Sequence, residues 1–454
     1  MMVFQTEVRR NKQYLPKSKE DNTMKKKIAV ILAGAMMISA LPMGAMAAEN
    51  GDTVDLTIMC AYASEDPHGQ YVYQYADAFM EQNPNVNIEI QAVSSNDIYT
   101  KLASMATTPD DLPTLFFTSV DQAPTLWDLG LMEDLNNYLD EETLSQFAEG
   151  VVDACMLDGQ MAFFPIDVQP LAVLYRIDRF EEAGLEVPTT WDEFVECAKA
   201  LTADSDGDGE VDQWGFGMVG ANNSSGQSRF QAYLWSNGYS VVAKDEESGE
   251  WGSDIDDGFL DVFSKWTDMN NEYGVVPVGI TEVDYATAAN YFAMGYTSMM
   301  LTGSNAIGVA YSSNPELEGK IGSFRIPGDE PGTMMNAEGY ALCSSASEEE
   351  KAAALEFLNF FITNDSELGF WQSSGKIPST IDGQKADYIT GEDYKGYLDT
   401  IEAGCLAPIN FAGFSGLKSC LGDAYSAVFS GEMTNEEAVE QLQTDVEELL
   451  ADYN

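Results

Sequence analysis

The chain reads as an α/β protein of two lobes, and three observations predict it. Strand-like and helix-like patterns alternate along its length, as in a parallel-rich sheet covered by helices. After an export leader about 400 residues remain, more than one comfortable core, which gives two lobes of roughly 150–200 residues. Hydrophobic residues make up 45% and aromatic residues 11% of the 454 positions. That is enough to pack an interior despite many acidic groups.

The elements follow in order. Met24-Lys25-Lys26-Lys27 opens a positive segment, Ile28 to Leu41 is apolar, and Ala45-Met46-Ala47 forms an A-x-A cleavage site. Residues 24–47 therefore read as a Sec-type signal peptide, and residues 1–23 as an upstream extension. The alternative is an uncleaved anchor, since 28–47 could span a bilayer. Leu32-Ala33-Gly34-Ala35 resembles a lipobox with Ala35 in place of the lipidated Cys, so no lipid anchor is expected. The product is expected outside the cytoplasm: extracellular, cell-surface or periplasmic.

Leu56 to Cys60 reads as a buried first strand. Tyr71, Val72, Tyr75 and Phe79 recur at helical spacing up to Pro84. Val86, Ile88, Ile90 and Ala92 alternate with polar residues as a half-buried strand, and Leu115-Phe116-Phe117 is another strand. Thr190, Ser347 and Thr434 each stand three residues before a Glu, the capping-box spacing that opens a helix. Segments 219–228 and 244–258 read as surface loops.

Charge removes several function classes. There are 22 Lys+Arg, 75 Asp+Glu and one His, a net charge of −53. Without residues 1–47 the balance is 14 basic to 72 acidic, or −58. Such a chain cannot replace counterions along phosphates, and anionic lipid repels it. His68 is the single imidazole for any triad, and an HExxH metal helix is ruled out. None of the six Cys forms a CxxC pair. Cys60, Cys197 and Cys343 read as small buried hydrophobes, while Cys405 and Cys420 are a candidate pair.

One acidic cluster has the spacing of a site. Asp204, Asp206, Asp208 and Asp212 fall at positions 1, 3, 5 and 9 of an EF-hand-like loop, with Gly209 at 6. The Glu210 carbonyl would supply position 7. Gly215 replaces the bidentate Glu of position 12, so a structural Ca2+ is expected to bind weakly. The alternative is an acidic surface turn. Fragments resembling a P-loop and S-x-x-K patterns lack their accompanying residues.

Val173-Leu174-Tyr175-Arg176-Ile177-Asp178-Arg179-Phe180, continuing through Gly184-Leu185 to Pro188-Thr189-Thr190-Trp191-Asp192-Glu193, resembles the family 1 extracellular solute-binding proteins. These maltose-binding-protein-like components serve ABC importers. Further matches follow in order at Phe79–Pro84, Leu129–Leu135, Trp214-Gly215-Phe216, Phe292–Gly295 and Gly375-Lys376-Ile377-Pro378. Together they cover nearly all of residues 52–450. Arg176 departs from the usual Asn.

The resemblance implies a periplasmic-binding-protein-like fold of type II, with three interlobe crossovers and a ligand cleft between the lobes. By order, one lobe is 52–166 plus 328–376 and the other 167–327 plus 377–454. It also implies a non-enzymatic monomer that hands a small solute to ABC permease subunits. Cleft-facing strand ends then nominate Tyr62, Ser64, Glu65, Ser119, Asp121, Asp167 and Gln169 as ligand contacts. Trp235, Asn237, Ser304, Asn305, Glu338, Trp371 and Phe414 complete the set. Aromatic faces beside carboxylates and amides suit a sugar. Few Lys and Arg make an anionic ligand a poor fit. A neutral sugar or oligosaccharide is the first expectation and a cationic solute such as a polyamine the second. The alternatives are a secreted carbohydrate-active enzyme using a carboxylate pair and a sensor subunit of the same fold.

Overall fold

The computed structural model describes residues 53–453, apart from 66–68, 95–96, 109–110, 206, 246–247, 329, 331–332, 334–335, 364–374, 404–410 and 412. The leader, His68, Asp206, Trp371 and Cys405 lie outside the described residues.

The first lobe begins with β1 (Val54–Cys60), α1 (Gln70–Gln82), β2 (Val86–Ala92), α2 (Ile98–Met105), β3 (Leu115–Ser119) and β4 (Phe164–Val168). The second begins with β5 (Ala172–Arg176), α3 (Trp191–Ala200), β6 (Trp214–Phe216) and α4 (Ser224–Ser236). It continues through β7 (Thr297–Thr302), α5 (Asn305–Ser313) and β8 (Ile321–Phe324). The chain then returns to the first lobe as β9 (Ala337–Leu342), α6 (Glu348–Thr363) and β10 (Ile377–Pro378). Helices α7 (Glu392–Glu402), α8 (Phe414–Phe429) and α9 (Asn435–Leu450) close the second lobe.

The first sheet has the order β10-β4-β9-β3-β1-β2 and the second β8-β5-β7-β6. The chain thus forms a two-lobed α/β fold. Only β2, β1 and β3 form a parallel block in the first sheet. Strand β9 runs antiparallel to both β3 and β4. It re-enters after the chain has gone round the second lobe, so it arrives from the opposite end. Asp167, Val168 and Ile377–Pro378 all belong to the first sheet, because β10 pairs with the end of β4.

Each lobe has its own aromatic core. In the first, α6 packs on α1, with Tyr75 stacked on Phe361 at 4.3 Å between centroids. In the second, Trp191 stacks on Phe194 at 4.6 Å and meets Tyr233 at 4.2 Å. Trp191 is therefore a core residue. The capping boxes at Thr190 and Thr434 are both formed, and Ser347 and Glu350 make the same reciprocal pair. Cys60, Cys155, Cys197 and Cys343 are buried thiols.

Segment 219–228 departs from the surface-loop reading. Asn223 accepts from the Ser225 and Gly226 N–H groups and starts α4 at Ser224. The sequence hides this start because Ser, Gly and Gln dominate the first turn. Only the Asn cap marks it.

Candidate ligand-binding site

Strand register builds the floor of the site. Ser119 ends β3, Glu338 pairs with it across the ladder, and Asp167 pairs with Glu338 on the other side. Residues paired across neighbouring strands project to one face, so three polar side chains form a row at the end of the sheet. A bulge between Glu338 and Gly339 shifts the β9–β4 register. A Cβ at Gly339 would stand 1.9 Å from the Phe164 carbonyl oxygen, so only glycine lets the strands close here.

Beneath this row lies a buried charge cluster. The Lys376 ammonium donates to Glu338 Oε2 at 2.7 Å, to Asp167 Oδ2 at 3.0 Å and to the Tyr62 hydroxyl at 3.2 Å. Three N–H groups meet three acceptors. The Tyr62 hydroxyl in turn lies 3.4 Å from Glu338 Oε2. Asp167 also accepts from Gln169 at 3.2 Å and from the Tyr71 hydroxyl at 3.4 Å. Burial pushes the Asp167 carboxyl up to about 6, against the pull of Lys376. For Lys376, burial opposes the charge, but Asp167 and Glu338 outweigh it and hold the ammonium well above its ordinary range.

The sign of the Asp167 effect follows. Its carboxyl rises from the usual 3.8 to about 6 on folding. Between those values the folded chain holds a proton that the unfolded chain has lost, so this group makes stability fall as pH rises. Asp167→Asn is expected to flatten that part of the urea-midpoint profile. An unchanged slope between about pH 4 and about pH 6 would refute the assignment.

Above the floor is a cavity of about 640 Å³ lined by both lobes. On the first-lobe side stand Tyr62, Tyr99, Thr100, Phe117, Ser119, Asp121, Gln122 and Glu338, with Gln169, Leu171, Thr333 and Asn336 beside the passages between lobes. The Ser119 hydroxyl donates to Asp121 at 2.6 Å. The opposite wall is one face of α4: Ser224, Ser228, Gln231, Ala232 and Trp235. Their spacing of four, three, one and three residues is a helical stripe. Phe414 and Lys418, one turn apart on α8, complete the wall. The Lys418 ammonium lies 4.0 Å from Asp121 and 3.3 Å from the Ser224 hydroxyl, and so bridges the two lobes.

Of the residues nominated from sequence, Tyr62, Ser119, Asp121, Gln169, Trp235, Glu338 and Phe414 line this cavity. Asp167 is fully buried behind Glu338. Ser64 and Glu65 are exposed and bond to each other at 3.1 Å. Asn237 ends α4 and turns its amide to the Tyr233 carbonyl at 2.9 Å. The Ser304 hydroxyl donates to the Gly375 carbonyl at 2.8 Å, and Asn305 follows it as the first residue of α5. Trp371 lies outside the described residues.

Tyr99, Gln231, Asn336 and Lys418 are among the lining residues that sequence reasoning missed. A signal for two of them was present. Gln231 falls on the same helical stripe as Trp235, and Lys418 is four residues after Phe414. Nothing local marks Asn336 or Tyr99.

In the acidic loop, Asp204 accepts from the Gly207, Asp208 and Gly209 N–H groups, and Asp212 from Ser205. The Asp204, Asp208 and Asp212 carboxylates thus close the turn on itself. Among the described residues, no group of three His, Cys, Asp or Glu side chains converges as a metal site would require.

The cavity offers flat aromatic faces, amides, hydroxyls and carboxylates, the chemistry of a polyhydroxylated or donor-rich small molecule. Comparison with known proteins agrees with a binding role. A candidate binding protein of Brucella abortus (strain 2308) is 25% identical over 375 residues, covering 80% of this chain and 86% of that one. The diacetylchitobiose binding protein DasA of Streptomyces coelicolor is 23% identical over 374 residues, covering 78% and 82%. Among solved structures, the maltose/maltodextrin-binding domain MalE of Bdellovibrio bacteriovorus, bound to maltotriose, superposes with a TM-score of 0.69 at 21% identity. That match covers 88% of this chain and all of the other. The family model for bacterial extracellular solute-binding proteins matches residues 74–392. The chain belongs to the bacterial extracellular solute-binding proteins.

Proposed function

We propose that this protein captures a neutral sugar or oligosaccharide outside the cytoplasm and delivers it to the permease subunits of an ABC importer. The observation that carries the sugar reading is the cavity lining. Trp235, Tyr62 and Phe414 supply faces for sugar C–H groups, and Gln122, Gln169, Gln231 and Glu338 supply partners for hydroxyls. The sugars bound by the relatives named above point the same way. The chain acts as a monomer, carries a cleaved leader over residues 24–47, and closes its lobes on the solute.

A thermal-shift panel tests the reading, with maltotriose, N,N′-diacetylchitobiose and spermidine as probes. A sugar is expected to raise the melting temperature by mass action. The pocket's carboxylates, Asp121 and Glu338, face a single lining Lys, which favours a cationic solute as the second reading. A response to spermidine alone would establish it. Turnover of a labelled oligosaccharide by the pure protein would instead favour a carboxylate-pair enzyme.

The loop at 204–212 carries a separate proposal, a weak structural Ca2+ held by Asp204, Asp206, Asp208, the Glu210 carbonyl and Asp212. Calcium titration should then release heat and raise the melting temperature. With neither effect, the loop is a self-bonded turn.

A further inference from the structure

Lys376 does not reach the cavity, yet it touches the two groups that form its floor. Glu338 and Tyr62 line the cavity, and Lys376 donates to both from behind, at 2.7 Å and 3.2 Å. The ammonium also stands 4.7 Å from the centre of the Tyr62 ring. Asp167, on the far side, is 1% exposed and Lys376 is 2% exposed. A buried pair of this kind is a weak source of stability, since desolvation offsets much of its attraction. Its geometry instead serves the groups above it.

The Lys376 ammonium and the Tyr62 hydroxyl both meet Glu338 at Oε2, which leaves Oε1 to offer. The ammonium also holds the tip of the Tyr62 side chain in place by donating to its oxygen. Gly375, next in the chain, is held to the second lobe through Ser304, which anchors Lys376 from the other side.

We propose that Lys376 is the positioning residue of the ligand site, holding Glu338 and Tyr62 as a preformed acceptor–aromatic pair for one sugar ring. This deepens the binding reading and rests on it. Asp167 is the counter-charge that lets the ammonium stay buried, and it touches no ligand. Binding is stronger because the pair is set before the ligand arrives.

The test is a mutant cycle in a folded background. The Asp167→Asn/Lys376→Met double variant removes the ammonium together with its fully buried counter-charge, so the Glu338 carboxylate, which opens on the cavity, is the one charge of the cluster that stays. Glu338→Gln is then made in the wild-type chain and in this background, with affinity for maltotriose and N,N′-diacetylchitobiose read by calorimetry. In the wild type, Glu338→Gln is expected to cost about tenfold to a hundredfold. In the double variant it should cost less than about threefold, because the two changes act through one interaction. Equal costs in both backgrounds overturn the proposal.

A crystal structure of the ligand-free double variant is the second arm. Displacement of the Glu338 carboxylate from the Tyr62 hydroxyl supports the proposal, and unchanged places for both overturn it. If neither probe binds the wild-type chain, the sugar reading fails and this arm alone decides the role of Lys376.

Discussion

Lys376→Met is expected to lower the unfolding free energy by about 3–5 kcal/mol near pH 7, the cost of stranding buried charge after its partner is removed. Methionine fills the space of the lysine stem, so the loss is electrostatic rather than a cavity. Asp167 is fully buried and Glu338 largely so, and both would face each other without the ammonium. Burial already pushes the Asp167 carboxyl up to about 6 with Lys376 present. Removing the cation pushes it higher, so protonation relieves the variant at lower pH. Urea unfolding at about pH 7 and about pH 5 checks this. The deficit should shrink at the lower pH, and an equal deficit at both would show that charge is not its cause.

Trp235→Leu is expected to weaken maltotriose or N,N′-diacetylchitobiose binding by about thirtyfold, or about 2 kcal/mol, the loss typical of a central aromatic anchor. Trp235 sits on the α4 wall opposite Tyr62 and Glu338 and is 8% exposed. Leucine keeps the apolar volume on the helix but has no flat face for a sugar ring. Trp191 supplies the contrast. It is stacked within the second core, so Trp191→Leu should lower stability and leave the affinity of the folded fraction unchanged. Calorimetric titration of both variants separates the two roles. A Trp235 variant that binds as tightly as the parent would remove this residue from the site.

The fold was legible where local chemistry and tertiary context agree. The strand at Val86–Ala92 alternates, the Thr190 and Thr434 boxes cap helices, and the ordered motifs from Phe79 to Pro378 carry the two-lobed arrangement. It was less legible where polar residues open a helix. The Ser224 turn lacks an apolar stripe because its polar side faces a cavity, not because it is a loop.

The site divides in the same way. Ser119 and Asp121 were readable because a ligand meets the carboxyl ends of parallel strands. Tyr62 follows β1 for the same reason. Ser64 and Glu65 fell away because they stand in an exposed turn and bond to each other.

The sequence by itself determined the class of the molecule: an acidic, lobed α/β binding protein with seven of its nineteen pocket residues named. Periodicity, caps and composition act over a few residues, and those are written locally. Only the tertiary structure decided that Asp167 lies behind the pocket rather than in it. The same holds for the meeting of Lys376 with Asp167 and Glu338, and for Lys418 bridging to Asp121. These pairs are separated by 209, 38 and roughly 300 residues. Their proximity depends on strand register and on the path between lobes, and neither is encoded in any one segment.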